Sequence, residues 1–153
     1  MNIRIIEAYT HMEDIKILFN EYVSSLGVDL TFQNYAEELS ALPGKYAKPL
    51  GRLYIAYAED FPAGCIALRP FDEKRCEMKR LYVRSQFRSL KIGKMLSEKI
   101  ILEAREIGYD SLLLDTLSSM EKAFALYKRL GFKEIEPYYA NPLAGTHFLC
   151  LKL

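Results

Sequence analysis

Residues 78–97 read Met78-Lys79-Arg80-Leu81-Tyr82-Val83-Arg84-Ser85-Gln86-Phe87-Arg88-Ser89-Leu90-Lys91-Ile92-Gly93-Lys94-Met95-Leu96-Ser97. They carry six basic side chains (Lys79, Arg80, Arg84, Arg88, Lys91, Lys94) and no acid, in a chain whose totals nearly balance at 21 basic and 20 acidic residues. Cys76 to Arg84 reads as a strand, with Met78, Arg80 and Tyr82 expected on one face and Glu77, Lys79, Leu81 and Val83 on the other. Ile92, Leu96, Ile100, Ala104 and Ile107 then recur at helical spacing, and Gly108 is the expected stop. The basic residues therefore gather between a strand and the start of a long helix, where unpaired backbone N–H groups and the helix dipole favour an anion. Charge alone leaves two readings open, a solvated turn and a site for a phosphate-bearing ligand.

The flanking sequence is mixed α/β around one central sheet. Residues 2–7 form a short strand. Thr10-His11-Met12-Glu13 has the form of a capping box and opens a helix along Ile15, Leu18, Phe19, Tyr22 and Leu26 to Gly27. A weaker helix is expected from Phe32 to Leu42. Residues 53–58 and 64–69 form a hairpin. Residues 111–115 are an apolar run of the kind buried on both faces. Ser118 to Glu121 is a second capping box, leading through Ala123, Leu126, Tyr127 and Leu130 to Gly131. Two closing strands lie near 132–136 and 146–153. All six prolines fall in expected loops and no linker divides residues 1–153, so one domain is expected.

Composition excludes several classes. Half the residues are hydrophobic, yet no apolar run approaches the ~18 residues of a membrane helix, and the N-terminus is charged too early for a signal segment. Cys65, Cys76 and Cys150 have no framework spacing, which fits a reducing, cytoplasmic setting. Two distant histidines offer little for a metal, so none is expected. The basic patch is one loop long and lacks interleaved aromatics, which argues against nucleic acid.

The stretch from Arg80 to Leu96 resembles the acetyl-CoA segment of the GNAT superfamily of N-acetyltransferases. There an L-Y-V-like strand end leads through a Q/R-x-x-G-x-G/A loop into a helix. Arg88 takes the Q/R position and Gly93 the last glycine, while Lys91 replaces the first glycine and Ser89 stands where another is common. Ala123-Phe124-Ala125-Leu126-Tyr127-Lys128-Arg129-Leu130-Gly131-Phe132 is similar to the helix end that follows in the same superfamily, with Met120 at a frequent asparagine position. Segments 42–47, 77–80 and 137–142 resemble a bacterial branch of small members.

The resemblance implies a mostly antiparallel sheet of six to seven strands with four helices, splayed between the strands at 76–84 and 111–116. It implies acetyl-CoA as donor, its pantetheine arm held by Leu81, Tyr82 and Val83 and its pyrophosphate by Arg88, Ser89, Leu90, Lys91, Ile92, Gly93 and Lys94. Tyr127 matches the general acid that protonates the thiolate, although its spacing alone reads as a core-facing tyrosine. Glu77, four residues before Leu81 and expected on its face, reads as the base or as a carboxylate paired with Lys79 or Arg80. Arg80, Tyr138, Tyr139 and Asn141 are the expected acceptor wall. His147 reads as a core histidine, and Cys76 is not read as a nucleophile because direct transfer is the superfamily's habit.

The acceptor implied is a small-molecule amine, which the short loop around Gly27-Val28-Asp29-Leu30 suits. A protein amine and a non-catalytic acyl-CoA-binding module are the competing readings. The protein is expected as a monomer or homodimer.

Overall fold

The computed structural model describes residues 1–27, 29 and 34–153. Its strands are β1 (Ile3–Glu7), β2 (Arg52–Ala58), β3 (Phe61–Pro70), β4 (Arg75–Val83), β5 (Ser111–Thr116), β6 (Lys133–Ile135) and β7 (His147–Lys152). The helices are α1 (Met12–Leu26), α2 (Tyr35–Ser40), α3 (Ile92–Ile107) and α4 (Glu121–Arg129), with 3-10 turns at Gly44–Tyr46 and Ser85–Leu90. The sheet runs β1-β2-β3-β4-β5-β7-β6. Among the described residues only the β4–β5 pair is parallel. Among the described residues no helix is long and apolar enough to cross a membrane.

Period-two alternation splits β2 between two cores. On β2, Leu53, Ile55 and Tyr57 pack against Ile15, Leu18 and Phe19 of α1. Tyr54, Ala56 and Ala58 face the other way, toward Ile92, Leu96, Ile100 and Ala104 of α3. The apolar stripe read from α3 is thus a buried face, and Leu112 to Leu114 of β5 are buried as expected.

Both capping boxes fail in the same way. His11 donates its N–H to the Ala8 carbonyl, and Met120 donates to that of Leu117. Each backbone turn delays the helix, so α1 and α4 begin at Met12 and Glu121 without a side-chain cap bond. The second helix spans Tyr35–Ser40, shorter than expected; its predicted start at Phe32 lies outside the described residues, as do Val28 and Leu30 of the predicted short loop. His147 is not a core residue: it is half-exposed, 3.0 Å from Glu134 and tilted against the Phe124 ring.

The expected alternation of β4 also breaks, at Arg80. Cys65 pairs with Tyr82 and Ala67 with Lys79, so Arg80 and Leu81 together oppose Ile66 in a β-bulge. Arg80 takes the left-handed conformation, φ 62°. Met78 therefore lies in the α3 core with Leu81 and Val83, whereas Tyr82 turns to the α1 side. Glu77 does not share a face with Leu81. A non-glycine residue in this conformation costs about 1–2 kcal/mol. The Arg80 guanidinium offsets it by gripping Glu38 of α2 through two bonds, 3.0 and 2.8 Å; charge-assisted bonds contribute about 1.5–3 kcal/mol each. On β3, a Cβ at Gly64 would lie 2.6 Å from the Tyr82 carbonyl, so glycine is required where the bulge presses in.

Candidate active site

β4 and β5 pair at Arg75–Ser111, Cys76–Leu112 and Glu77–Leu113, and there the pairing stops. Beyond Glu77 the strands separate, and a cleft with about 560 Å³ of empty space, mouth included, opens between them. Lys79, Arg80 and Leu81 form one wall and Asp115 and Thr116 the other; Tyr22, Tyr127 and Asn141 close it from α1, α4 and the loop before β7. Pairing ends because the bulge turns β4 away while β5 stays bound to β7, from Ser111–Lys152 to Thr116–His147.

Past the cleft, β4 runs on through Val83 into the segment that starts α3. Ser85–Leu90 is a 3-10 turn, and Lys91, at φ 61°, redirects the chain into the helix. The first helical bond there runs from the Met95 N–H to the Lys91 carbonyl, which leaves the N–H groups of Ile92, Gly93 and Lys94 in the unbonded first turn. The left-handed turn explains why a glycine suits the position of Lys91. A Cβ on Gly93 would meet Val83 and Leu126 at 3.8 and 3.9 Å, ordinary contacts that admit alanine as well. The Arg88 side chain reaches back 2.9 Å to the Val83 carbonyl and braces the turn against the strand end. Ser89, Lys91 and Lys94 are exposed, Leu90 is half-buried and Ile92 is core. Lys91→Val, a β-branched residue at positive φ, is expected to lower stability by about 1–2 kcal/mol, with Lys91→Gly near the parent because eased strain and added unfolded-state entropy oppose each other. Urea midpoints of the two variants check the order.

Tyr127 is buried in the cleft against Phe132, its ring 5.8 Å away. Burial raises its phenol pKa above the ordinary value, with Tyr22 and Asp115 adding to the rise, so it is a phenol rather than a phenolate at neutral pH. Tyr22, whose phenol burial likewise pushes up to about 12, stands opposite.

The expected acceptor residues divide. Asn141 lines the cleft, and Arg80 lines it while held by Glu38. Tyr138 and Tyr139 instead direct their hydroxyls at carboxylates. Tyr138 donates to Glu77 at 2.6 Å, and Tyr139 donates to Asp115 in a short contact. Both rings pack on Phe148, at 5.2 and 5.4 Å. Glu77 is 1% exposed; one oxygen accepts from Arg69 and the other from Tyr138. Its cationic partner is Arg69, across the β3–β4 pair, rather than the Lys79 or Arg80 anticipated from sequence. Leu81 and Val83 lie along the open edge, while the Tyr82 hydroxyl donates to Glu21 of α1. Burial pushes the Cys76 thiol up to about 12, so it is no thiolate.

Three cleft residues escaped the sequence reading. Asp115 accepts from Tyr139 and, at 3.3 Å, from Asn141. A charge ending an apolar strand was its only signal. The Thr116 hydroxyl is buried with no hydrogen-bond partner among the described residues, and Tyr22 looked like one more apolar position on α1. Burying a hydroxyl unsatisfied costs about 1–3 kcal/mol, which a ligand in the cleft would offset.

The model of the Acetyltransferase (GNAT) family matches residues 15–132, from α1 through the splay and α4. The chain belongs to that family. It is 44% identical over 144 residues to an uncharacterised N-acetyltransferase of Schizosaccharomyces pombe, covering 93% of this chain and 88% of the relative. A GNAT-family acetyltransferase from Staphylococcus aureus superposes with a TM-score of 0.79 at 25% identity, over 99% of both chains. A GNAT acetyltransferase from Elizabethkingia anophelis, solved with acetyl-CoA bound, matches with a TM-score of 0.58 at 27% identity, over 67% of this chain and 76% of that one. This GNAT chain is an acetyl-CoA-dependent N-acetyltransferase. Its residues fit the donor: a free strand edge for an extended amide-bearing arm, an unbonded helix start for phosphates, and a buried phenol between them.

Proposed function

We propose that residues 1–153 act as one domain that moves an acetyl group from acetyl-CoA to the primary amine of a small molecule, by direct attack on the thioester. The observation that carries this reading is the splay of β4 from β5 between Asp115 and Tyr127. The Asp115 carboxylate lines the same cleft as the Tyr127 and Tyr22 phenols, between two strands and two helices.

The edge of β4 at Leu81 and Val83 takes the pantetheine arm as an added strand, and the first turn of α3 takes the pyrophosphate. Asp115 receives the acceptor's ammonium and accepts its proton. The freed amine attacks the carbonyl carbon, a C–N bond forms and the C–S bond breaks. Tyr127 gives its proton to the departing sulfur, and the second proton that the nitrogen sheds as it becomes an amide returns the phenolate to the phenol. Burial raises the proton affinity of that thiolate along with that of the phenol, so the transfer stays matched. Asp115 takes the base role because it lines the cleft; Glu77, with both oxygens engaged, positions Tyr138. The test is thiol release from acetyl-CoA with a panel of free amines and lysine-containing peptides, each product weighed by mass spectrometry. Acetylated small amines support the reading; turnover of peptides alone overturns it.

A further inference from the structure

Three buried side-chain oxygens have no hydrogen-bond partner among the described residues: those of Tyr46, Ser97 and Thr116. Tyr46 belongs to the core under α1 and Ser97 to the buried face of α3. Thr116, 6% exposed, is the one of the three that lines the cleft between β4 and β5. Its direction follows from the strand. β5 pairs with β7 in unbroken register from Ser111 to Thr116, so Thr116 shares the face of Leu112 and Leu114. Those leucines pack in the core that holds Tyr127 and the apolar face of α3, and Leu81 and Val83 border the same core. Asp115, one residue earlier, faces the opposite way. The cleft is therefore lined from both sides of the sheet, by Thr116 and Tyr127 on the α3 side and by Asp115 and Tyr22 on the α1 side.

An extended donor arm paired with the edge of β4 turns its other edge toward β5. The carbonyl oxygens on that edge need donors, and a threonine hydroxyl supplies one O–H. We infer that Thr116 binds the donor, its hydroxyl donating to a carbonyl oxygen of the acetyl-CoA arm. The pantetheine amides and the thioester share that acceptor chemistry. Thr116 thus serves the donor and its neighbour Asp115 the acceptor, from opposite faces of one strand. This inference rests on the donor lying in the splay and specifies one of its contacts there.

Calorimetric titrations of acetyl-CoA and of CoA into the parent chain, Thr116→Val and Thr116→Ser test it, with urea midpoints for all three. Thr116→Val replaces the hydroxyl by a methyl of similar size. Its affinity for acetyl-CoA is expected to fall about tenfold, the scale of leaving one buried carbonyl unpaired. Its midpoint should hold or rise, because no bond within the protein is lost; a merely structural hydroxyl would lower it. Thr116→Ser keeps the oxygen and should bind acetyl-CoA close to the parent. A loss with both ligands assigns the bond to a pantetheine amide, and a loss with acetyl-CoA alone assigns it to the thioester. A lowered midpoint in Thr116→Val, failure to fold included, means that the hydroxyl bonds within the protein and overturns the inference. So does parent-like affinity for acetyl-CoA in Thr116→Val, or binding by Thr116→Ser as weak as by Thr116→Val. These results leave the donor's place in the splay standing. No binding of acetyl-CoA to the parent overturns that placement as well.

Discussion

Tyr127→Phe is expected to lower turnover at saturating substrates by on the order of 10²-fold, the usual contribution of one positioned proton donor, while acetyl-CoA affinity changes little. The ring stays, so packing against Phe132 and the α3-side core is preserved. Only the oxygen at the cleft is lost. Without it the thiolate must leave unprotonated into a site where burial penalises charge, the same effect that raises the Tyr127 pKa. Acceptors more reactive than the natural amine should not recover the rate, because expulsion of sulfur has become limiting. A steady-state comparison of thiol release checks this, and unchanged turnover in Tyr127→Phe removes Tyr127 from the chemistry.

Asp115→Asn is expected to lower kcat/KM for the amine by about 10²-fold or more, again the scale of general base catalysis. The amide keeps the shape and can still accept from Tyr139 or Asn141, but it neither holds an ammonium by charge nor takes its proton. Glu77→Gln provides the contrast. Arg69, whose side chain is 31% exposed, loses its carboxylate partner, so water screens part of the cost and the loss falls below the about 3–5 kcal/mol of a fully buried pair. Its main effect should fall on stability, read from urea midpoints, with a smaller one on turnover. A larger loss of turnover in Glu77→Gln than in Asp115→Asn returns the base role to β4.

Much of this architecture was legible in the sequence because it is carried by periodicity. The α3 stripe, the apolar β5 and the order of elements follow from spacing that burial enforces, and the left-handed turn at Lys91 falls where the family motif has a glycine. What stayed hidden depends on backbone events that spacing does not encode. The bulge at Arg80 shifts the register of one strand and so reverses the facing of every later residue on β4. It separates Glu77 from Leu81 and makes the alternation from Met78 to Tyr82 misleading. Asp115 and Thr116 lay at the end of an apolar run, and only the end of the β4–β5 pairing at Glu77–Leu113 shows that they face an open gap. The two tyrosines of the final loop were found in sequence, but their attachment to two separate carboxylates is a matter of tertiary contact.

The central claim is that the splayed edge of β4 and the first turn of α3 form one acetyl-CoA site. Calorimetric titration of acetyl-CoA into the parent chain and into Lys91→Glu tests it most directly. The predicted result is micromolar binding to the parent, weakened by tenfold or more when the reversed charge sits at the mouth of the helix N-terminus, with an unchanged thermal midpoint. No binding at millimolar acetyl-CoA, or equal binding by both proteins, would contradict it.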